Sequence, residues 1–297
     1  MSAGQIHDLG YKRYVGTRRS FETRWLVIMR HQLSSAWKGW WRFKLWLIAA
    51  MLVTAICGGV LYFLSGNLFG PIRGLGGQMV TLADGMMPFS AALYCKIGFI
   101  VSLTVCSTMV AGDLQSGAFT FYFARSVRPR DYVLGKLAGL GVLLALVMLL
   151  GPLVLAGVRL GLSESLDQLL GLLPVVYKAL AVGVIGTLIY AAVPLGFSAV
   201  VANRRYALAL WAAYYVVIGS MARGLGILLT PAIGAIDLPA AFEGLANAMF
   251  DARFPGRDIN VPVGPAVISI AAHVVVAIGL VFWRVRNAQQ TGVGGSS

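Results

Sequence analysis

The sequence predicts an all-α membrane protein of six transmembrane helices preceded by an amphipathic interfacial helix. Three observations carry that expectation. The chain is 58% hydrophobic and only 12% charged, with a mean hydropathy of +0.79, too apolar for a soluble chain of 297 residues. Its apolar runs are continuous rather than alternating, and they reach the roughly 20 residues that a helix needs to cross about 30 Å of hydrocarbon. The charge is lopsided. Seventeen of the 24 Lys and Arg fall in residues 1–44, in residues 112–139, in the Asn203-Arg204-Arg205 turn and at Arg284 and Arg286. These segments share one side if six spans alternate, and the positive-inside rule makes that side cytoplasmic, with both termini on it.

The same distribution disposes of other classes. A net charge of +13 could indicate nucleic acid, but a basic excess confined to one membrane face reads as topology, so no nucleic-acid partner is expected. Cys57, Cys95 and Cys106 all lie in apolar runs, are odd in number and lack CxxC spacing, which makes them small core residues. His7, His31 and His273 share no ligand spacing, so no metal site is expected. The Gly135-Lys136 pair is followed by Leu137 and lacks the upstream glycine of a phosphate-binding loop, so the chain is expected to bind no ATP or other cofactor itself.

In chain order, residues 1–20 hold Lys12, Arg13, Arg18 and Arg19 with no apolar core, so they are expected to stay cytoplasmic. One reading is a basic arm on anionic lipid, each cation contributing about 1 kcal/mol; the other is a protein contact. Over residues 21–41 a 100° step puts Phe21, Trp25, Ile28, Met29, Leu33, Ala36 and Trp40 on one face. Thr23, Arg24, Arg30, His31, Ser34, Ser35 and Lys38 lie opposite, while Glu22 and Gln32 intrude on the apolar side. Five of the seven Trp fall between Trp25 and Trp46, the composition of a helix at headgroup depth. Arg24, Trp25, Arg30, Trp37 and Trp40 are the residues expected to set this interfacial helix at the membrane surface.

The spans are expected at about 45–64, 89–111, 132–158, 173–201, 206–229 and 266–283. They form a transmembrane domain over 45–284, after an N-terminal region over 1–44 and before a disordered tail over 285–297. The Gly-rich connection 65–88 contains Gly74-Leu-Gly-Gly-Gln78, which reads as a flexible turn. Lys96 is the misfit of the second span, since a Lys at mid-bilayer costs roughly 2.5–3.5 kcal/mol. It either snorkels outward or faces a wet interior, and Arg223 near the far end of the fifth span has the same two readings. The third span opens with Gly135-xxx-Gly139, which permits close helix approach, and Pro194 predicts a kink in the fourth. Residues 240–250 suit a short helix in the longest outer connection, which by itself reads as an exposed loop.

The most informative stretch is residues 112–139, GDLQSGAFTFYFARSVRPRDYVLGKLAG. A mere connector would need far less chemistry. It holds Asp113, then Gln115, the small step Ser116-Gly117, an apolar and aromatic strip over 119–123, a basic cluster of Arg125, Arg128 and Arg130 beside Asp131, and Tyr132-Val-Leu-Gly-Lys136. This pattern resembles the cytoplasmic loop of type-2 ABC exporter permeases, including the copper-enzyme-maturation-like branch. The likeness is close over the loop and loose over the six-span plan. Ser126 stands where the family usually has Pro, and Ala118 follows Gly117 where Thr is common.

The resemblance implies a permease subunit without enzymatic activity of its own. It implies two copies of this chain with two copies of a separate ABC ATPase that holds ATP and Mg, and a coupling surface at Asp113, Gln115, Ser116, Gly117, Arg125, Arg128, Arg130 and Asp131. It also implies an elbow role for the amphipathic helix, an ATPase contact as a further reading of the tail, and pathway lining by the second and fifth spans. Two rivals stand apart from it. A secondary transporter or channel would need acids or repeats within the spans, and the expected spans contain neither Asp nor Glu. A membrane enzyme would need a clustered catalytic constellation, which the sequence does not offer.

Overall fold

The computed structural model describes residues 23–65, 76–124, 127–254 and 261–291. Among them the chain is helical without a strand, and six helices are long and apolar enough to cross a membrane. Helix α1 is Arg24–Lys38. The spans are α2 (Leu45–Leu64), α3 (Leu82–Gln115), α5 (Pro129–Gly161), α6 (Leu166–Val200), α7 (Arg204–Leu228) and α9 (Val263–Gln290). Two shorter helices, α4 (Ala118–Ala124) and α8 (Leu238–Phe250), occupy connections on opposite faces of the bundle.

Helices α3 and α6 form the centre, and α2, α7 and α9 are the least buried spans. α6 packs against α3, α5, α7, α8 and α9, and its buried side chains include Ile189, Tyr190 and Leu195. The outer spans keep apolar faces open: Met51 and Ile56 on α2, Val216 and Ile227 on α7, Ile268 and Val275 on α9. A soluble chain would cover such faces, whereas lipid or further apolar protein surface leaves them at no cost.

Two boundaries and the interior of two spans differ from expectation. The second span begins earlier, because the turn over residues 85–88 is buried and packs against the chain at Arg253 and Phe254. Phe89 stacks on Phe254 with ring centroids 4.3 Å apart. That tertiary contact holds helix through Pro88, where sequence favours a loop. The last span continues beyond Trp283 to Gln290, with Val285 and Ala288 buried, so residues 285–290 are packed helix instead of disordered tail. Within α3 and α7 the regular helix is interrupted by π-helical turns at Ser102–Cys106 and Tyr214–Ile218, features that hydrophobic periodicity does not announce.

The short helix expected at 240–250 is present and packed. Residues 240–247 are buried, and Phe242 approaches Gly186 of α6, about 21 Å along the helix from Val200 at 1.5 Å per residue. α8 therefore dips into the bundle instead of lying on it, against the reading of a plain exposed loop.

Candidate functional site

Between α3 and α5 the polar stretch folds as a helix, a tight turn and a second helix. Ser116 ends α3, its hydroxyl donating to the Gly112 carbonyl at 2.8 Å, and Gly117 follows at φ +65°. A side chain there costs roughly 1–2 kcal/mol, so this step of the chain favours glycine. The turn reverses the chain into α4. Phe119 is fully buried and stacks on Phe123, while Tyr122 and Tyr132 meet edge to face at 5.6 Å. Phe121 points the other way and is 73% exposed. Burial, with the Asp113 charge second, holds the Tyr122 hydroxyl up to about 12, so it stays protonated.

Under α4 lies a polar brace. Lys136 on α5 reaches the Asp113 carboxylate on α3 at 2.8 Å, with side-chain exposures of 7% and 18%. The Tyr132 hydroxyl donates to the same carboxylate oxygen at 2.7 Å, and the Lys136 ammonium lies 5.4 Å from the Tyr132 ring centre. α5 starts cleanly. Pro129 takes its first position, and the Arg128 backbone N–H donates to the Asp131 carboxylate at 3.2 Å.

The predicted coupling residues divide accordingly. Asp113 and the buried Asp131 serve the scaffold. Gln115, Ser116, Arg128 and Arg130 are exposed, and Gly117 makes the turn. Arg125 lies outside the described residues.

α1 docks on α5 at the glycine pair that sequence marked for close approach. A Cβ on Gly135 would sit 2.7 Å from the Ile28 Cβ and 2.8 Å from the Trp25 carbonyl oxygen, and one on Gly139 would sit 3.1 Å from the Gln32 side chain. Ile28, Gln32 and Ala36 form the buried stripe, and Gln32 Nε2 donates to the Lys136 carbonyl at 3.4 Å. Gln32, an intruder on the predicted apolar face, is thus part of the seam. Trp37 and Trp40 stay about half exposed, with the Lys44 ammonium 5.7 and 6.0 Å from their ring centres. Arg30 is exposed, and Arg24 and Trp25 are half-buried.

A groove between α1 and α4 is lined by Arg24, Val27, Ile28, Phe121, Tyr122 and Val127. The Asn203-Arg204-Arg205 turn closes the same face, with the Arg204 backbone N–H donating to Gln115 Oε1 at 3.4 Å.

On the opposite face, three cations at the ends of spans find carboxylates at a span end or in a connection. Arg159 pairs with Asp84 and Lys178 with Asp251 at 3.1 Å. Arg223 directs Nε and Nη2 onto one oxygen of the buried Asp237, at 2.9 and 2.6 Å. Burial raises the Asp237 carboxyl above its ordinary value, and Arg223 only partly offsets the rise. Lys96 and Arg223 line one cavity together with Tyr215, Ser220, Asp237 and Glu243. Trp211 and Tyr214 belong to an aromatic cluster with Phe197. Trp211 is fully buried, and its Nε1 donates to Ser102 at 2.9 Å.

Sequence reasoning placed Tyr132 and Lys136 in the loop motif without seeing their role, and missed Asp237 and Glu243. An acid just after a cation-tipped span was the available signal for Asp237. Among the described residues no group of three or more His, Cys, Asp or Glu could hold a metal ion. No protein-family model matches the chain, and no curated protein matches it.

Proposed function

We propose that the chain is the transmembrane permease subunit of an ATP-driven ABC exporter, working as a homodimer with two copies of a separate ATPase in the cytoplasmic membrane of the cell. The observation that carries this reading is the construction of the loop between α3 and α5. A connector of two spans has no use for a buried brace of Asp113, Tyr132 and Lys136 beneath a short helix that turns Phe121 outward, beside exposed Arg128 and Arg130. A surface that is rigid beneath and sticky above suits a part that must transmit force. The brace ties the ends of α3 and α5 into one lever, and α1, locked at Gly135 and Gly139, moves with it. Closure of an ATPase pair against α4 and the groove beside α1 would tilt these helices together.

The basic excess on this face supports a cytoplasmic placement, with both termini there. The open apolar faces of α7 and α9 support a second copy. The rival, a secondary transporter, draws on the buried Asp237 and Glu243, but Asp237 is already held by Arg223.

Reversing Arg125, Arg128 and Arg130 together to Glu is expected to abolish co-purification of an ATP-hydrolysing chain from native membranes while leaving insertion unchanged. Equal ATPase recovery with the reversed and native chains would defeat the proposal.

A further inference from the structure

The cavity between α3 and α7, roofed by the start of α8, sorts its charges by exposure. Its carboxylates are withdrawn: Asp237 is 2% and Glu243 6% exposed. Its cations are presented: Lys96 is exposed, and 45% of the Arg223 side chain remains open although its guanidinium holds Asp237. Unlike Arg159, Lys178 and Arg223, Lys96 has no carboxylate within ion-pair distance among the described residues. Formal charge in the cavity sums to zero, yet an entering ligand meets the positive groups first. A cationic ligand would face Lys96 and Arg223 before reaching either acid, whereas an anionic one gains both cations beside the Tyr215 hydroxyl of the lining.

Position adds a second constraint. Lys96 is 17 residues from Asp113 and Arg223 is 19 from Arg204, so both lie about 25–28 Å along their helices from the opposite polar face, near the far boundary of a hydrocarbon layer about 30 Å thick. On α7 next to them the cavity is walled by Val216, which is apolar and open, and it gives onto the exposed apolar surface of that helix. A purely water-soluble anion would leave that wall unused.

We propose that this cavity binds an anionic amphiphile, its carboxylate or phosphate head between Lys96 and Arg223 and its apolar chain along α7. The proposal concerns binding to this chain and stands whether or not an ATPase partner exists. It assigns Lys96 to ligand contact, one of the two readings its sequence position left open.

The test uses the full chain in nanodiscs of zwitterionic phosphatidylcholine, with radiolabelled dodecyl phosphate as probe and protein-free discs as the partitioning blank. Saturable binding at least tenfold tighter than that of dodecyltrimethylammonium is expected. Lys96→Gln should weaken it about tenfold, the loss of one charge-assisted hydrogen bond, and Lys96→Arg should restore it. Lys96 makes no ion pair among the described residues, so both variants should fold, and an unchanged melting profile verifies it. Equal binding of the cationic probe, or indifference to Lys96→Gln, would overturn the proposal. Competition by inorganic phosphate as effective as by unlabelled dodecyl phosphate would overturn its amphiphile component.

Discussion

Replacing Lys136 with Met removes one half of the buried pair and leaves Asp113 charged, with Tyr132 as its remaining partner. The ammonium and carboxylate are 2.8 Å apart and only 7% and 18% exposed, so solvent screens them little. Truncating one partner of such a pair costs about 3–5 kcal/mol, mostly the penalty of an uncompensated charge. Asparagine in place of Asp113 still accepts the Tyr132 hydroxyl and removes that charge. The double variant Asp113→Asn with Lys136→Met should therefore recover about 2–3 kcal/mol relative to the sum of the single changes.

The assay is unfolding free energy by steric trapping in bicelles for the four members of the cycle. Lys178→Gln serves as reference, because Asp251 is 82% exposed and that pair should contribute under about 1 kcal/mol. If Lys136→Met cost no more than Lys178→Gln, the brace would not be a mechanical element and the lever built on it would fail.

Two further outcomes are expected. Gly135→Leu should undock α1, since even a Cβ meets the Trp25 carbonyl at 2.8 Å; a cysteine at position 28 or 36, protected in the native seam, should then label at the rate of an exposed thiol. Asp237 gives a pH signature. Its folded pKa is raised by burial, so the stability it contributes is full below its unfolded value, near 4, and is lost as pH rises through the folded pKa. Melting of the native chain should therefore gain stability on acidification toward pH 4 relative to Asp237→Asn, and an identical pH dependence of the two would contradict the assigned burial.

The spans were legible because each is a local property: a continuous apolar run needs no knowledge of its neighbours. Residues 240–250 and the amphipathic face of α1 could be read for the same reason. Pairing was not legible. Nothing local to Lys136 points to Asp113, and nothing in Gly135-xxx-Gly139 says that the interfacial helix, instead of another span, fills the gap. Arg159 and Lys178 are matched by acids that no local pattern points to and Arg223 by Asp237, whereas Lys96 has none within ion-pair distance among the described residues. The packed helix beyond Trp283 and the helix through Pro88 likewise depend on tertiary contacts that override local preference.

The central claim is that α4 and its surroundings form a surface pushed by an ATP-hydrolysing partner. A cysteine replacing Phe121, 73% exposed in the chain alone, reports on it directly, because Cys57, Cys95 and Cys106 are buried and give little background. Labelling of this thiol should be fast on the purified chain, blocked in native membranes, and altered there by ATP with vanadate. The same rate in both settings, insensitive to nucleotide, would contradict the account.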